Sequence, residues 1–172
     1  YWATGDGRIV MLPAGADPSM TPVVLGQMAS TALPQTVHIS VSPAYVYWAE
    51  TFGEFSETGS LYRIPAAGGA RETIFNLNSA GGGGVVALQA LGSNGIVAGE
   101  SILYKRSFGK LARASWQAAL PGVNPWTEGT LVNSIDVFSV TGGRIYYAET
   151  APGTATVIKS RNVNGLANIQ IH

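Results

Sequence analysis

The residues that could do chemistry in this chain are few, and most of them repeat. Glu50, Glu100 and Glu149 each close a short apolar run, and a cation follows each, Arg63, Lys105 and Lys159 respectively. A carboxylate and a cation at matching places on neighbouring strands attract each other across the ladder, whereas three carboxylates gathered in one place would make an acidic site. A truncated copy of the run, Tyr1-Trp2-Ala3-Thr4, lacks the acid, and Met11 stands where its cation would be. Joint loss is the mark of a pair, so the three sets are read as construction rather than as a site.

Residues that break a repeat are where function is added. His38 stands where the other copies have Leu88 and Val137, Gln89 where they have Ile39 and Phe138, and Asp136 where they have Val37 and Ala87. A lone histidine at an apolar position is more often a hydrogen-bonded structural residue than a base or a ligand. An aspartate at a strand start more often serves a turn or an edge; if these strands border a ligand, the three side chains are its polar contacts. A second group sets aromatics beside acids: Trp116, Trp126 and Glu128 around Pro121-Gly122-Val123-Asn124-Pro125, and Phe52, Glu54, Phe55 and Glu57 in the 51–60 insertion. Such sets stack on a sugar face or anchor a protein partner, and they also staple loops.

The catalytic inventory is thin. Zinc wants three or four His, Cys or carboxylate ligands, and the chain has two histidines and no cysteine, so no metal or cofactor is expected. There is no GxSxG, and a Ser-His-Asp set built on His38 and Asp136 has no nucleophile elbow to carry it. A pair of glutamates for glycoside cleavage would need geometry to single it out. Gly81 to Gly84 lacks the GxxxxGK[ST] order of a phosphate loop and reads as a connection. Gly5-Asp6-Gly7 is a hairpin signal without the alternating acids of a calcium loop.

These residues are carried by a repeat. Val46-Tyr47-Trp48-Ala49-Glu50 matches Ile96-Val97-Ala98-Gly99-Glu100 and Ile145-Tyr146-Tyr147-Ala148-Glu149, at a period of roughly 46–50 residues. Without gaps, Val37 to Glu50, Ala87 to Glu100 and Asp136 to Glu149 align as β-rich run, Gly/Pro/Asn/Ser turn and second run, which is a hairpin. A third strand follows (Arg8 to Pro13, Ser60 to Pro65, Ile102 to Arg106, Thr156 to Ser160), then a Gly-containing turn and an outer strand (PVVLG, ETIFN, RASWQ, NIQIH). Four antiparallel strands per unit at this period predict an all-β propeller. The expected units are 1–32, incomplete, then 33–82, 83–130 and 131–172. In such a fold the first strands line a central channel, which places His38, Gln89 and Asp136 there.

Composition sets the partners. Ten basic and ten acidic residues give no net charge, and no Lys/Arg cluster exists to exchange counterions with nucleic acid or an anionic membrane. Every apolar stretch breaks before the roughly 18 residues a membrane helix needs. Propellers close with about four to eight blades, so three complete units and one lacking its first strand predict further blades, from additional sequence or from a second chain.

At Tyr1-Trp2-Ala3-Thr4-Gly5-Asp6-Gly7-Arg8-Ile9 through Pro13, with Thr21-Pro22-Val23-Val24-Leu25, and again at Tyr47-Trp48-Ala49-Glu50 through Pro65-Ala66-Ala67-Gly68-Gly69, the chain resembles the bacterial family of secreted YWTD-like propellers. The third copy departs from the pattern, and the acidic position carries Glu. The resemblance implies an exported, non-catalytic module that binds or scaffolds a protein or glycan through its loop rim or channel mouth. Two alternatives stand beside it: a carbohydrate-active or other hydrolytic propeller, and a surface-assembly subunit pairing through open edge strands. On the pairing reading, Glu149→Gln lowers thermal stability modestly and leaves binding intact; lost binding at unchanged stability contradicts it.

Overall fold

The computed structural model describes residues 1–17, 19–28, 36–52, 58–77, 83–91, 100–107, 109–116, 126–132, 134–150, 153–163 and 168–171. Among them fifteen strands make four sheets, and there is no helix. The first sheet holds β1 (Trp2–Ala3), β2 (Arg8–Met11) and β3 (Val23–Gln27). The second holds β4 (Thr36–Val41), β5 (Tyr45–Phe52), β6 (Thr58–Pro65) and β7 (Glu72–Asn76). The third holds β8 (Val85–Ala90), β9 (Ser101–Arg106), β10 (Leu111–Trp116) and β11 (Trp126–Val132). The fourth holds β12 (Val137–Thr141), β13 (Arg144–Glu149), β14 (Val157–Asn162) and β15 (Asn168–Ile171). The chain divides into two compact units, Tyr1–Val85 and Val86–His172.

Alternation of side chains fixes which face each strand buries. In β13, Ile145 and Tyr147 turn into the core of the second unit, and Tyr146 between them turns to the other face. The β12–β13 reversal is made by Gly142 and Gly143 at φ 54° and 73°, the positive pair that a two-residue hairpin requires. In the first unit the second sheet lays Val46, Trp48, Tyr62 and Ile64 against Ile9, Leu25 and Met28 of the first sheet and its exit. Gly26 makes that approach possible, because a Cβ there would stand 2.7 Å from Ile64 Cδ1. The second unit repeats the plan with Leu91, Leu103 and Leu111 packed on Ile135, Ile145, Tyr147 and Val163.

Register corrects the sequence reading of the third copy. The gap-free alignment put its second strand at Ile96–Glu100, and residues 92–99 lie outside the described ones. The strand beside β8 is β9, joined by Leu91 N–H donating to the Ser101 carbonyl at 2.9 Å. An irregularity in the pairing supplies an independent marker. The third strand of three sheets shifts register against the outer strand, at Ile9/Val10, Leu61/Tyr62 and Leu111/Ala112. The residue after each shift faces Trp2, Trp48 and Tyr104 respectively on the second strand. Tyr104 is therefore the third counterpart of Trp48, and Lys105, expected on a third strand, belongs to a second one. Residues 91–100 connect β8 to β9 where three residues, 42–44, join β4 to β5, and a gap-free comparison has no room for that difference. The outer strand of the third sheet runs to Val132, past the expected limit at 130.

Trp48 is fully buried, its indole Nε1–H donates to Glu50 Oε1 at 2.9 Å, and its ring lies 5.4 Å from that of Tyr62. Glu50 is itself fully buried, so the indole is one of the donors that make its burial tolerable. Trp48→Ala is expected to cost about 3–5 kcal/mol of stability and Trp48→Phe about 1–3 kcal/mol, the second combining the lost hydrogen bond with a smaller loss of ring volume. Urea denaturation of both variants measures the difference; a Trp48→Phe protein as stable as the parent refutes the role given to the indole N–H.

Candidate functional site

The fourth sheet departs from the second at two places, and a cleft of mixed lining lies beside them. Register equates Tyr147 with Trp48 and Lys159 with Tyr62, since Tyr147 faces Lys159 across β13–β14 as Trp48 faces Tyr62 across β5–β6. A tyrosine has no ring N–H to give the neighbouring carboxylate, and the lysine supplies the donor instead: Lys159 Nζ forms an ion pair with Glu149. That hydrogen bond raises the Lys159 pKa above its ordinary 10.5, so the ammonium stays charged through the neutral range. Glu149 is half-buried, in contrast to Glu50 in the second sheet.

Beside this pair lies a cleft of about 310 Å³ lined by Ser134, Glu149, Thr150, Thr154, Ala155, Val157 and Lys159. Thr150 Oγ1 donates to Asp136 Oδ2 at 2.7 Å and shares a 2.6 Å hydrogen bond with Thr156 Oγ1. The Asp136 backbone is fixed in turn, its N–H donating to the Ala148 carbonyl at 2.9 Å and its carbonyl accepting from Lys105 Nζ at 2.8 Å. Four residues singled out by sequence, Lys105, Asp136, Glu149 and Lys159, thus come together at one end of the second unit. The hydroxyls of Ser134, Thr150 and Thr154 escaped notice; the threonine-rich stretch Thr150-Ala151-Pro152-Gly153-Thr154-Ala155-Thr156 was their signal. Such a cleft offers donors and acceptors to one polar side chain or one sugar ring. Among the described residues no group of three or more His, Cys, Asp or Glu could hold a metal ion.

The other expected residues are placed elsewhere. His38 lies half-buried on β4 opposite Ala49 in the first unit, and Gln89 half-buried on β8 in the second. Phe52 ends β5 opposite Thr58, paired in a strand rather than carried on a loop, while Glu54, Phe55 and Glu57 lie outside the described residues. Trp116 and Trp126 are directly opposed on β10 and β11, and Glu128 is opposed to Ala114. The rim segment expected between them, residues 117–125, lies outside the described ones. The expected cation positions are not equivalent either. Arg63 faces Tyr47 and bonds Glu72 Oε2 at 2.5 Å with its guanidinium 4.1 Å over the Tyr45 ring, while Glu50 faces Ser60. Alternation therefore puts Glu50 and Arg63 on opposite faces of one sheet. Glu100 stands just before β9, half-buried.

Comparison with known proteins rests on structure alone. No family model matches the chain, and no curated protein does. The chain is similar to a chain in the crystal structure of a nidogen/laminin complex, with a TM-score of 0.60 and 15% identity over 96% of this chain and 58% of that one. The neighbour is a propeller, and the likeness is one of fold. The chain is an all-β protein built of partial-propeller sheets. It spans 58% of its structural neighbour's length. No helix among the described residues is long and apolar enough to cross a membrane.

Burial pushes the His38 imidazole below its ordinary pKa of 6.5. The folded state disfavours the protonated ring, so the stability tied to His38 is complete above pH 6.5 and declines as pH falls through the folded value. In an NMR titration the His38 ring is expected to turn over below 6.5, and His38→Leu should flatten the dependence of Tm on pH in that window. A midpoint at or above 6.5 contradicts the assignment.

Proposed function

We propose that the chain is a non-catalytic recognition module of β-propeller type, exported, that takes a polar group of a protein partner into the cleft beside Glu149 and Lys159. The observation that carries this reading is the convergence of Ser134, Thr150, Thr154, Glu149 and Lys159 around about 310 Å³ of open space, with Thr150 held by Asp136, where the second sheet has a buried Trp48–Tyr62 pair. The Glu149–Lys159 pair is the wall, and the hydroxyls of Ser134, Thr150 and Thr154 are the contacts. The neighbouring propeller chain comes from a complex of two proteins, which supports a protein as the partner. A glycan is the second reading, favoured by the density of hydroxyls beside a carboxylate. In either case the blades present here are completed by others, from further sequence or from a second chain.

Thr150→Val and Asp136→Asn alter exposed residues and should leave Tm unchanged. A displayed peptide library and a glycan array, each screened with the parent and both variants, test the reading. Ligands that bind the parent and lose about tenfold, or 1.4 kcal/mol, on Thr150→Val support it. Binders drawn only from the glycan array favour the second reading. Binders indifferent to both variants remove the cleft from the function.

A further inference from the structure

The hydrogen bonds behind the cleft fix which of its groups can give a proton and which can only receive one. Thr150 Oγ1 donates to Asp136 Oδ2 at 2.7 Å. A hydroxyl has one proton, so in the 2.6 Å contact between Thr150 Oγ1 and Thr156 Oγ1 the shared proton is that of Thr156. Thr150 therefore meets a ligand with a lone pair and nothing to donate. Glu149 also only accepts, and its Oε2 is engaged by Lys159 Nζ. Lys159 is the charged donor of the set, because an ammonium has three protons and Glu149 engages one of them. Ser134 and Thr154 add hydroxyls, which serve in either sense.

Charge narrows the ligand further. Glu149 and Lys159 form an ion pair, and Asp136, behind Thr150, has Lys105 Nζ on its backbone carbonyl at 2.8 Å, so two carboxylates are matched by two ammoniums. An anionic group would compete with Glu149 for Lys159, and a cationic one with Lys159 for Glu149; neither gains a counter-charge for the water it gives up. A neutral group with donor and acceptor side by side satisfies both kinds of partner without parting the pair. The rest of the lining is aliphatic: Val157 faces Glu149 across β13–β14, and Ala155 precedes it by two residues. Walls of this kind take methylenes.

We infer that the group this cleft takes is the side-chain carboxamide of a glutamine or asparagine in a protein partner, its NH2 donating to Thr150 Oγ1 and Glu149 and its C=O accepting from Lys159 Nζ. The inference rests on the reading of the cleft as a binding site, and it names the ligand. A carboxamide carries two donor protons and one acceptor oxygen on a flat head, and its methylene stem lies along Val157 and Ala155. Glutamate has the shape of glutamine and lacks the donors, which makes those two side chains the decisive comparison.

The test is a methyl NMR titration of the purified chain with peptides Gly-Gly-Xaa-Gly-Gly, in which Xaa is Gln, Glu, Lys or Leu, and with N-acetylglucosamine, which carries an amide on a sugar. The methyl groups of Thr150, Thr154, Ala155 and Val157 report from the cleft walls. The glutamine peptide is expected to shift them and to bind about tenfold more tightly than the other peptides. Thr150→Val should abolish that preference, and Thr150→Ser, which keeps the hydroxyl, should retain it. Lys159→Met, its fold checked by circular dichroism, should turn the preference to the lysine peptide, because Glu149 then lacks its cation; a merely structural Lys159 would give no such reversal. Any other peptide bound by the parent as tightly as the glutamine one overturns the carboxamide and leaves the cleft a binding site. N-acetylglucosamine bound more tightly than the glutamine peptide overturns it in favour of the glycan. If no probe moves those methyls, the inference falls together with the reading on which it rests.

Discussion

A β-sheet with two apolar faces cannot exist alone in water, and the packing of one sheet's second-strand aromatic into its predecessor is the constraint from which the rest of this structure follows. Trp48 on Ile9, Leu25 and Met28 shows it in the first unit, and Tyr147 on Leu103 and Leu111 repeats it in the second. The contact demands that aromatic and receiving face keep their register across strands, since a slip of one residue would turn Trp48 outward. It also demands close approach, supplied by Gly26 where Ile64 enters. The register shift before Val10, Tyr62 and Ala112 lies beside the same contact, and bulges there add twist to the outer strands without disturbing the inner ones.

The architecture was legible because period-two alternation and glycine turns are local, and Val46 to Glu50 or Ile145 to Glu149 announces its strand without reference to the rest of the chain. The phase of the third copy was not, because it depends on pairing. Glu100 matched the acid of its neighbours in type and in spacing, and that coincidence outweighed the aromatic Tyr104, the true counterpart of Trp48. The same error moved Lys105 onto the wrong strand. Trp116 and Trp126 illustrate a second limit: two tryptophans flanking a Pro-Gly-Val-Asn-Pro segment read as loop aromatics, and only the ladder between β10 and β11 shows them opposed. Asp136 stood out as a polar residue breaking an apolar position, and it is tied by a hydrogen bond to Thr150, which only the threonine-rich stretch 150–156 signalled, while Ser134 carried no pattern of its own.

The cleft arises within the repeat without new elements. In the second sheet the aromatic pair, the indole N–H and the buried carboxylate form a closed set, each group satisfied by another. Replacing the indole by the phenol of Tyr147 takes away the donor to the carboxylate, and a carboxylate at that place must then find another cation or remain in water. Lys159 meets the need from the position where the second sheet has Tyr62. Its flexible stem covers less of the sheet than a ring does, so the space beside it stays open and Glu149 stays half-buried. The open space borders the turn before β12 and the loop after β13, segments whose lengths the sheets do not dictate, and there Asp136, Thr150 and Thr156 are linked by hydrogen bonds of 2.7 and 2.6 Å. Core and cleft are thus served by different residues of one sheet: Ile145 and Tyr147 hold it in the core, and the hydroxyls at its end lie outside that packing.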